Sequence, residues 1–439
     1  MPWIRRRRRR SSSAVHTHPV STTFRGLEPL EGRLLLSADA IPFGAGYRDT
    51  SQYLVGNVAV TVVAIDSNGA VDAETEDWSA GDLQTVKQEI QEGLDWWEET
   101  FDRYNPDSPY DLQFTPDFQW TDDPVPVPYE PINRVYTDER YWIDAFLTEA
   151  DANTSSSYMD DMFRFNHAQR QAHGTNWAFT VFVVDSSNDQ DGRFPDGFFA
   201  YSYHGGPFLV MTWDNGEWGS DRMGQVFAHE TAHMFYALDE YAGSDPLERR
   251  SGYHATQNLN AAEAFQRVDS LMDRGIRQDR AYDQHLSSPS SLEMVGWRDG
   301  DGDGLFDLFD VPLELDGSGT FDPSENEYTF AGFSRAGALE NLNPYGEGRD
   351  ITLNRVGRAE YRVDGGPWIT VASYDDYETP VALTLPVDAE QEGSVIEIRT
   401  VDAVSGVTSN VFTDILAAPA DTGAADASNG TANDPPAAP

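Results

Sequence analysis

His229-Glu230-Thr231-Ala232-His233, continuing through Met-Phe-Tyr-Ala-Leu to Asp239, is the stretch from which fold and function are read. Two histidines four residues apart on a helix project from one face about one turn apart, so both imidazoles can reach a single metal ion. Zinc takes such nitrogens at about 2.0–2.1 Å and, in catalytic sites, keeps one position for water. Glu230 is not placed to ligate; it stands beside that water as the candidate general base. Met223, Val226, Phe227, Met234 and Phe235 recur around the motif at helical spacing, and Ser220 is expected to cap the helix. The bland alternative is a core helix whose histidines only satisfy hydrogen bonds. With nine histidines in the whole chain, two in this pattern around a glutamate favour zinc.

A zinc held by two histidines needs a third protein ligand. On an unbroken helix Glu240 would return to the same face, but roughly 10 Å further along the axis, too far to coordinate. The chain must therefore turn after His233, and Asp239 can then come back to the metal. The competing reading uses a downstream glutamate, Glu263 of Asn260-Ala-Ala-Glu263.

The resulting spacing, HExxHxxxxxD, resembles the metzincin zinc peptidases in their variant with aspartate as third ligand. Leu238-Asp-Glu-Tyr241 and Gln257-Asn-Leu-Asn260 are similar to the branch that includes IgA-peptidase-like bacterial enzymes. The resemblance covers roughly residues 55–298 and is specific at the metal helix and at a methionine turn, for which Ser270-Leu-Met272 is well placed. It implies that Met272 forms an apolar floor beneath the histidines without ligating. Two positions depart from the pattern. Tyr236 stands where metzincins usually carry the glycine that ends the helix. A bulky residue at positive φ is strained, so the turn is expected one or two residues away. Arg274 stands two residues after Met272, where some metzincins place an oxyanion-stabilising tyrosine.

Outward from the motif, Val58–Ile65, Leu112–Trp120, Trp177–Val184, Gly197–Tyr203 and Phe208–Trp213 read as strands. Ala80–Phe101, Tyr141–Ala150 and Tyr158–Gln171 read as helices. The alternation predicts an α/β (α+β) catalytic domain with one twisted, mixed five-stranded sheet, and Phe199–His204 as its candidate edge. His204 is expected to be structural rather than catalytic. Period-two strands at Arg358–Val363, Trp368–Val371, Val381–Leu385 and Val395–Val401 predict an all-β, immunoglobulin-like sandwich after it.

Between the two lies Asp299-Gly-Asp301-Gly-Asp303-Gly-Leu305-Phe-Asp307, with Asp310 following. The aspartates occupy positions one, three, five, nine and twelve of an EF-hand-like array, Gly304 takes the sharp turn, and Leu305 offers its carbonyl at position seven. Calcium there would stiffen the junction; a solvated acidic hinge is the alternative. Asn188-Asp-Gln-Asp191 fits a calcium loop or a plain turn equally well.

The chain has 439 residues, no cysteine and a formal net charge of −44. No disulfide or thiolate chemistry is open to it, and the charge argues against nucleic acid, whose phosphates need a basic face. No apolar run is long enough for a membrane span. Arg5–Arg10 are six consecutive arginines, followed by Leu27-Glu-Pro-Leu-Glu-Gly-Arg-Leu-Leu-Leu. That segment resembles the LEPR-XLL N-terminal sequence of large secreted or surface proteins of planctomycete bacteria. The expected organisation is a targeting segment (1–40), a zinc peptidase domain (41–298), the calcium-type hinge (299–312), a sandwich (313–416) and a disordered tail (417–439). The expected function is that of a monomeric, secreted or surface-held zinc endopeptidase acting on protein or peptide substrates. The rival is a surface adhesion or scaffold protein with a structural metal site.

Overall fold

The computed structural model describes residues 40–417. The expected targeting segment and tail fall outside the described residues, save Ala40 and Ala417. The first half alternates strands and helices: β1 (Gly56–Ser67), α1 (Ala80–Tyr104), β2 (Leu112–Asp117), α2 (Gln119–Asp122), β3 (Val125–Val127), α3 (Glu139–Glu149), α4 (Tyr158–His173), β4 (Trp177–Val184), β5 (Ala200–Ser202), β6 (Phe208–Thr212) and α5 (Met223–Met234). The sheet runs β2-β1-β4-β6-β5, parallel except for β5, and β3 continues the β2 edge along the end of β1. It therefore has six strands rather than the expected five. Val125-Pro-Val127 is too short, and too interrupted by proline, to register as a strand by pattern.

β1 and β4 are buried on both faces because helices cover both. Val58, Val60 and Val62 of β1 pack with Val86, Ile90, Leu94 and Trp97 of α1 and with α5. Val63 and Ile65 point the other way, onto Trp142, Ile143 and Phe146 of α3 and Phe165 of α4. Strand candidate Leu112–Trp120 stops at Asp117, and Trp120 belongs to the short helix α2, whose Thr121 Oγ1 donates to the Val62 carbonyl at 2.8 Å.

A two-residue hairpin follows, β7 (Arg250–Ser251) and β8 (Thr256–Gln257), then α6 (Ile276–Asp283) and α7 (Pro289–Met294). The remaining strands are β9 (Glu314–Asp322), β10 (Glu327–Arg335), β11 (Val356–Val363), β12 (Ile369–Asp376), β13 (Glu378–Pro386), β14 (Val395–Asp402) and β15 (Phe412–Ile415). They form two antiparallel sheets, β13-β10-β9 and β12-β11-β14-β15. Phe321, Tyr328, Phe330 and Leu383 from one sheet and Tyr361, Ile396 and Ile398 from the other share one apolar core. The two parts interlock. Phe306, Leu308 and Phe309, in the second half of the aspartate loop, plug into the α1/α5 core, and Asn354, before β11, accepts from the Tyr110 hydroxyl at 2.6 Å.

Candidate metal centre

Helix α5 carries the motif, and every one of its residues is buried. Ser220 does not cap it, contrary to expectation: it opens a separate 3₁₀ turn, Ser220–Arg222, and Arg222 at the helix entrance makes no side-chain cap. Glu89 of α1 takes that role, its Oε2 accepting the Gly224 N–H at 2.9 Å. The two helices touch at Gly93, where a Cβ would lie 2.6 Å from the Phe227 ring and 2.7 Å from the Gly224 carbonyl oxygen. Trp97 Nε1 donates to the Ala228 carbonyl at 2.9 Å, one residue before the first histidine. Packing thus fixes how α5 is rotated about its axis.

The left-handed residue that closes the helix end is Tyr236 itself, not a residue one or two positions away. Tyr236 has φ +72°. Its N–H donates to the His233 carbonyl at 2.9 Å, and the Ala237 N–H reaches back to the Ala232 carbonyl at 3.0 Å. This is the Schellman arrangement, with tyrosine where glycine is usual. The left-handed backbone costs a non-glycine residue about 1–2 kcal/mol. What offsets it is the side chain, 1 % exposed, with its hydroxyl accepting from Gln52 Nε2 at 3.2 Å. Gly205 makes room for the ring: a Cβ there would come within 2.2 Å of it.

The turn brings Asp239 back to the histidines. Its Oδ1 lies 3.2 Å from His229 Nε2 and 3.3 Å from His233 Nε2. The other ring nitrogens are held by carbonyls, His229 Nδ1 by Leu271 at 2.9 Å and His233 Nδ1 by Ala237 at 2.7 Å. A carbonyl only accepts, so Nδ1 carries the proton and Nε2 of the neutral ring turns a lone pair toward the carboxylate. Asp239 Oδ1 is buried, and no donor is aligned on it as a hydrogen bond. Three lone-pair atoms converging on one point fit a cation. Tetrahedral coordination at the zinc–nitrogen distance requires ligand atoms about 3.3–3.4 Å apart, which matches. Without a cation, protons on the rings must serve. Burial works to lower the His233 pKa, but the Asp239 carboxylate overrides it and pushes it up to about 9. Burial acts against Asp239 ionisation, yet the His233 and His229 rings hold its carboxyl far below the usual range.

The Ser270–Asp273 turn lies against the first histidine. Asp273 N–H donates to the Ser270 carbonyl at 3.1 Å, Leu271 supplies the carbonyl for His229, and Met272 is fully buried in the core that holds α5. The Glu240 N–H donates to the Met272 carbonyl at 2.9 Å. Its buried carboxylate accepts from Asn260 Nδ2 at 2.6 Å, Ser291 Oγ at 2.7 Å and the Ser288 hydroxyl. Glu240 therefore ties the residue after Asp239 to three separate segments. Its only sequence signal is its place next to the candidate ligand Asp239, and its serine partners carry none.

Glu230 does not join the group that could hold a metal, which consists of His229, His233 and Asp239. Its Oε2 accepts from Ser202 Oγ of β5 at 2.6 Å. Ser202 escaped the sequence reading, although strand alternation sets it opposite Tyr201 and Tyr203. Those two tyrosines, with Tyr158, donate to the buried Glu139 carboxylate at 2.6–2.9 Å and so anchor the strand from its other face. Beside Glu230 and His229 opens a cleft of about 570 Å³ lined by Phe198, Phe199, Ala200, Trp218, Tyr241 and Arg274. β5 pairs only with β6, so its outer edge is unpaired among the described residues. The Arg274 guanidinium lies 5.2 Å from the centre of the Tyr241 ring.

The rival ligand Glu263 is exposed and outside the group. His204 packs 5.1 Å from the His233 ring, and burial, then His233, lower its pKa to about 3. In the acidic loop Asp299, Asp301 and Asp303 converge, all exposed. Asp307 and Asp310 are not in that group: Asp307 pairs with Arg298 at 3.0 Å and accepts the Gly300 N–H, while Asp310 is near enough for the four other aspartates to raise its pKa, after burial. Leu305 donates its N–H to Asp303 at 2.8 Å. No helix among the described residues is long and apolar enough to cross a membrane. No protein-family model and no curated protein matches the chain.

Proposed function

We propose that the chain is a zinc-dependent endopeptidase of metzincin type, exported and acting on extracellular proteins. One observation carries the reading. Asp239 Oδ1 stands within 3.3 Å of both imidazole Nε2 atoms, and the intervening Glu230 lines a cleft bordered by an unpaired strand edge. Zinc held by His229, His233 and Asp239 would bring the pKa of its water toward neutrality and polarise the scissile carbonyl. Glu230 accepts the proton of the attacking water and returns it to the leaving amine. Ser202 holds the Glu230 carboxylate in place for both transfers. An extended peptide adds to the free edge of β5, its main chain pairing with the unpaired N–H and C=O groups.

On the same reading the C-terminal sheets are an immunoglobulin-like sandwich, and Asp299, Asp301 and Asp303 take calcium at the junction. Export rests on the sequence of residues 1–40.

The test uses the full chain, stripped of metal and reloaded, with zinc counted by mass spectrometry and cleavage followed on unfolded protein substrates. Stoichiometric zinc with cleavage that phenanthroline abolishes and zinc restores is the expected result. Stoichiometric zinc without cleavage of any substrate would favour the scaffold reading, and a chain that takes up no zinc would end both.

A further inference from the structure

At the end of the sheet, away from the histidines in sequence, β1 and β4 run parallel with Ile65 opposite Val184. One step further along, Asp66 and Asp185 are neighbours on the face that α1 covers, continuing the Val60, Val62 and Val181, Val183 rows. Two carboxylates side by side under a helix are an unfavourable pair unless something neutralises them. Asp185 is 3 % exposed. Its Oδ1 accepts the Ser187 N–H at 2.9 Å, but its Oδ2 is buried with no partner, and Asp66 Oδ1 is orphaned in the same way. Among the described residues no lysine or arginine forms an ion pair with either. The groups acting on them are further carboxylates: Glu74 and Asp77 on Asp66, Asp82 and Asp214 on Asp185. Glu76, 4 % exposed, adds another, its Oε2 accepting the Asn188 N–H at 2.6 Å and feeling both Asp185 and Asp189.

We propose that Asp66 and Asp185 are direct ligands of a calcium-type divalent cation at the carboxyl ends of β1 and β4, within a negative surround of Glu76, Asp82 and Asp214. The donor set is all oxygen, without histidine or cysteine, which selects a hard cation. Calcium accepts irregular coordination by six to eight oxygens, whereas magnesium demands a near-ideal octahedron. The cation answers the two orphaned oxygens at once. Burial, then the neighbouring carboxylates, raise the Asp66 pKa to about 6, so in the metal-free chain a proton is the competing occupant. Bound calcium would hold the carboxyl ends of β1 and β4 together and attract Asp82 in the first turn of α1, the helix whose Glu89, Gly93 and Trp97 position α5. The proposal is independent of the zinc site and of the exposed Asp299–Asp303 loop. The neighbouring Asn188–Asp191 segment contributes negative charge; Asp189 Oδ1 accepts the Asp191 and Gly192 N–H groups.

The experiment is calcium titration of the full, zinc-loaded chain by calorimetry, in a background with Asp299→Asn, Asp301→Asn and Asp303→Asn so that the loop is silent. Terbium luminescence gives a second readout, because Trp78 and Trp213 flank Asp77 and Asp214 and their indoles can sensitise a bound ion. The background chain should bind one calcium, gain thermal stability from it and show sensitised terbium emission. Adding Asp66→Asn and Asp185→Asn should abolish all three while raising the melting temperature measured in chelator, since the repulsion is gone. Asp214→Asn, at the rim, should weaken calcium about threefold to tenfold through lost charge alone, and it decides the matter if the double variant does not fold. A background chain that binds no calcium, or a double variant that binds it equally well, would overturn the proposal in favour of a shared proton.

Discussion

Ser202 on the edge strand donates its hydroxyl hydrogen to the Glu230 carboxylate at 2.6 Å, joining the wall of the cleft to the proposed base. Ser202 Oγ also lies 3.0 Å from the Glu230 carbonyl oxygen, but it has a single proton to give, and the shorter, charge-assisted contact prevails. Ser202→Ala should therefore leave zinc content unchanged while kcat falls about 10–100-fold, the worth of a hydrogen bond to a charged group. Ser202→Thr, which keeps the hydroxyl, should recover most of the rate. Steady-state kinetics on both variants checks this; an Ala variant with unaltered kcat would remove Ser202 from the account.

Tyr236→Gly restores the residue usual at a left-handed helix end, yet it should destabilise the protein. Relief of backbone strain returns about 1–2 kcal/mol, whereas deleting a fully buried aromatic ring costs about 3–5 kcal/mol. A net loss of roughly 2–3 kcal/mol should appear in urea unfolding. Tyr236→Phe, losing only the Gln52 contact, should cost about 1 kcal/mol. A glycine variant more stable than the parent would mean that the ring contributes little.

Glu240→Ala removes the acceptor shared by Asn260, Ser288 and Ser291, leaving buried donors unpaired at a cost of about 3 kcal/mol or more. Because Glu240 adjoins Asp239, zinc affinity should fall about 10–100-fold as well. Competition with a zinc-chelating dye measures it. Lost stability with undiminished zinc affinity would make Glu240 a purely structural residue.

A pH dependence follows from Glu130, whose Oε2 accepts the Thr75 N–H at 2.9 Å. Burial, opposed by the Thr75 and Glu76 backbone N–H groups and aided by Glu76 and Asp185, raises its pKa to about 7. A carboxyl raised in the folded state favours folding below its unfolded value near 4.5 and loses that contribution as pH climbs through 7. In calcium-free protein Glu130→Gln should match the parent at pH 4.5 and exceed it by about 2 kcal/mol at pH 8. Equal stabilities at both pH values would show that Glu130 is not perturbed.

The candidate metal helix was legible because its three candidate ligands lie within eleven residues and a helix has one period. The valine-rich β1 and β4, buried on both faces, were equally plain, and so was β13, whose residues alternate buried and exposed. β9 was not legible: Glu-Leu-Asp-Gly-Ser-Gly-Thr-Phe-Asp reads as a turn, and only pairing along β10 makes it a strand. Tyr236 misled for a related reason. Local strain argued against a turn there, and the compensating contacts with Gln52 and Gly205 come from distant sequence. Ser202, Glu139 and Glu240 likewise gain their roles from contacts across the fold, on which spacing is silent.

Zinc content and peptide hydrolysis, measured together on purified Glu230→Ala, reach the central claim most directly. The ligand trio is untouched, so the variant should hold one zinc per chain while its cleavage rate drops about 10²–10⁴-fold below the parent. Cleavage at the parental rate from that zinc-loaded variant would contradict the account.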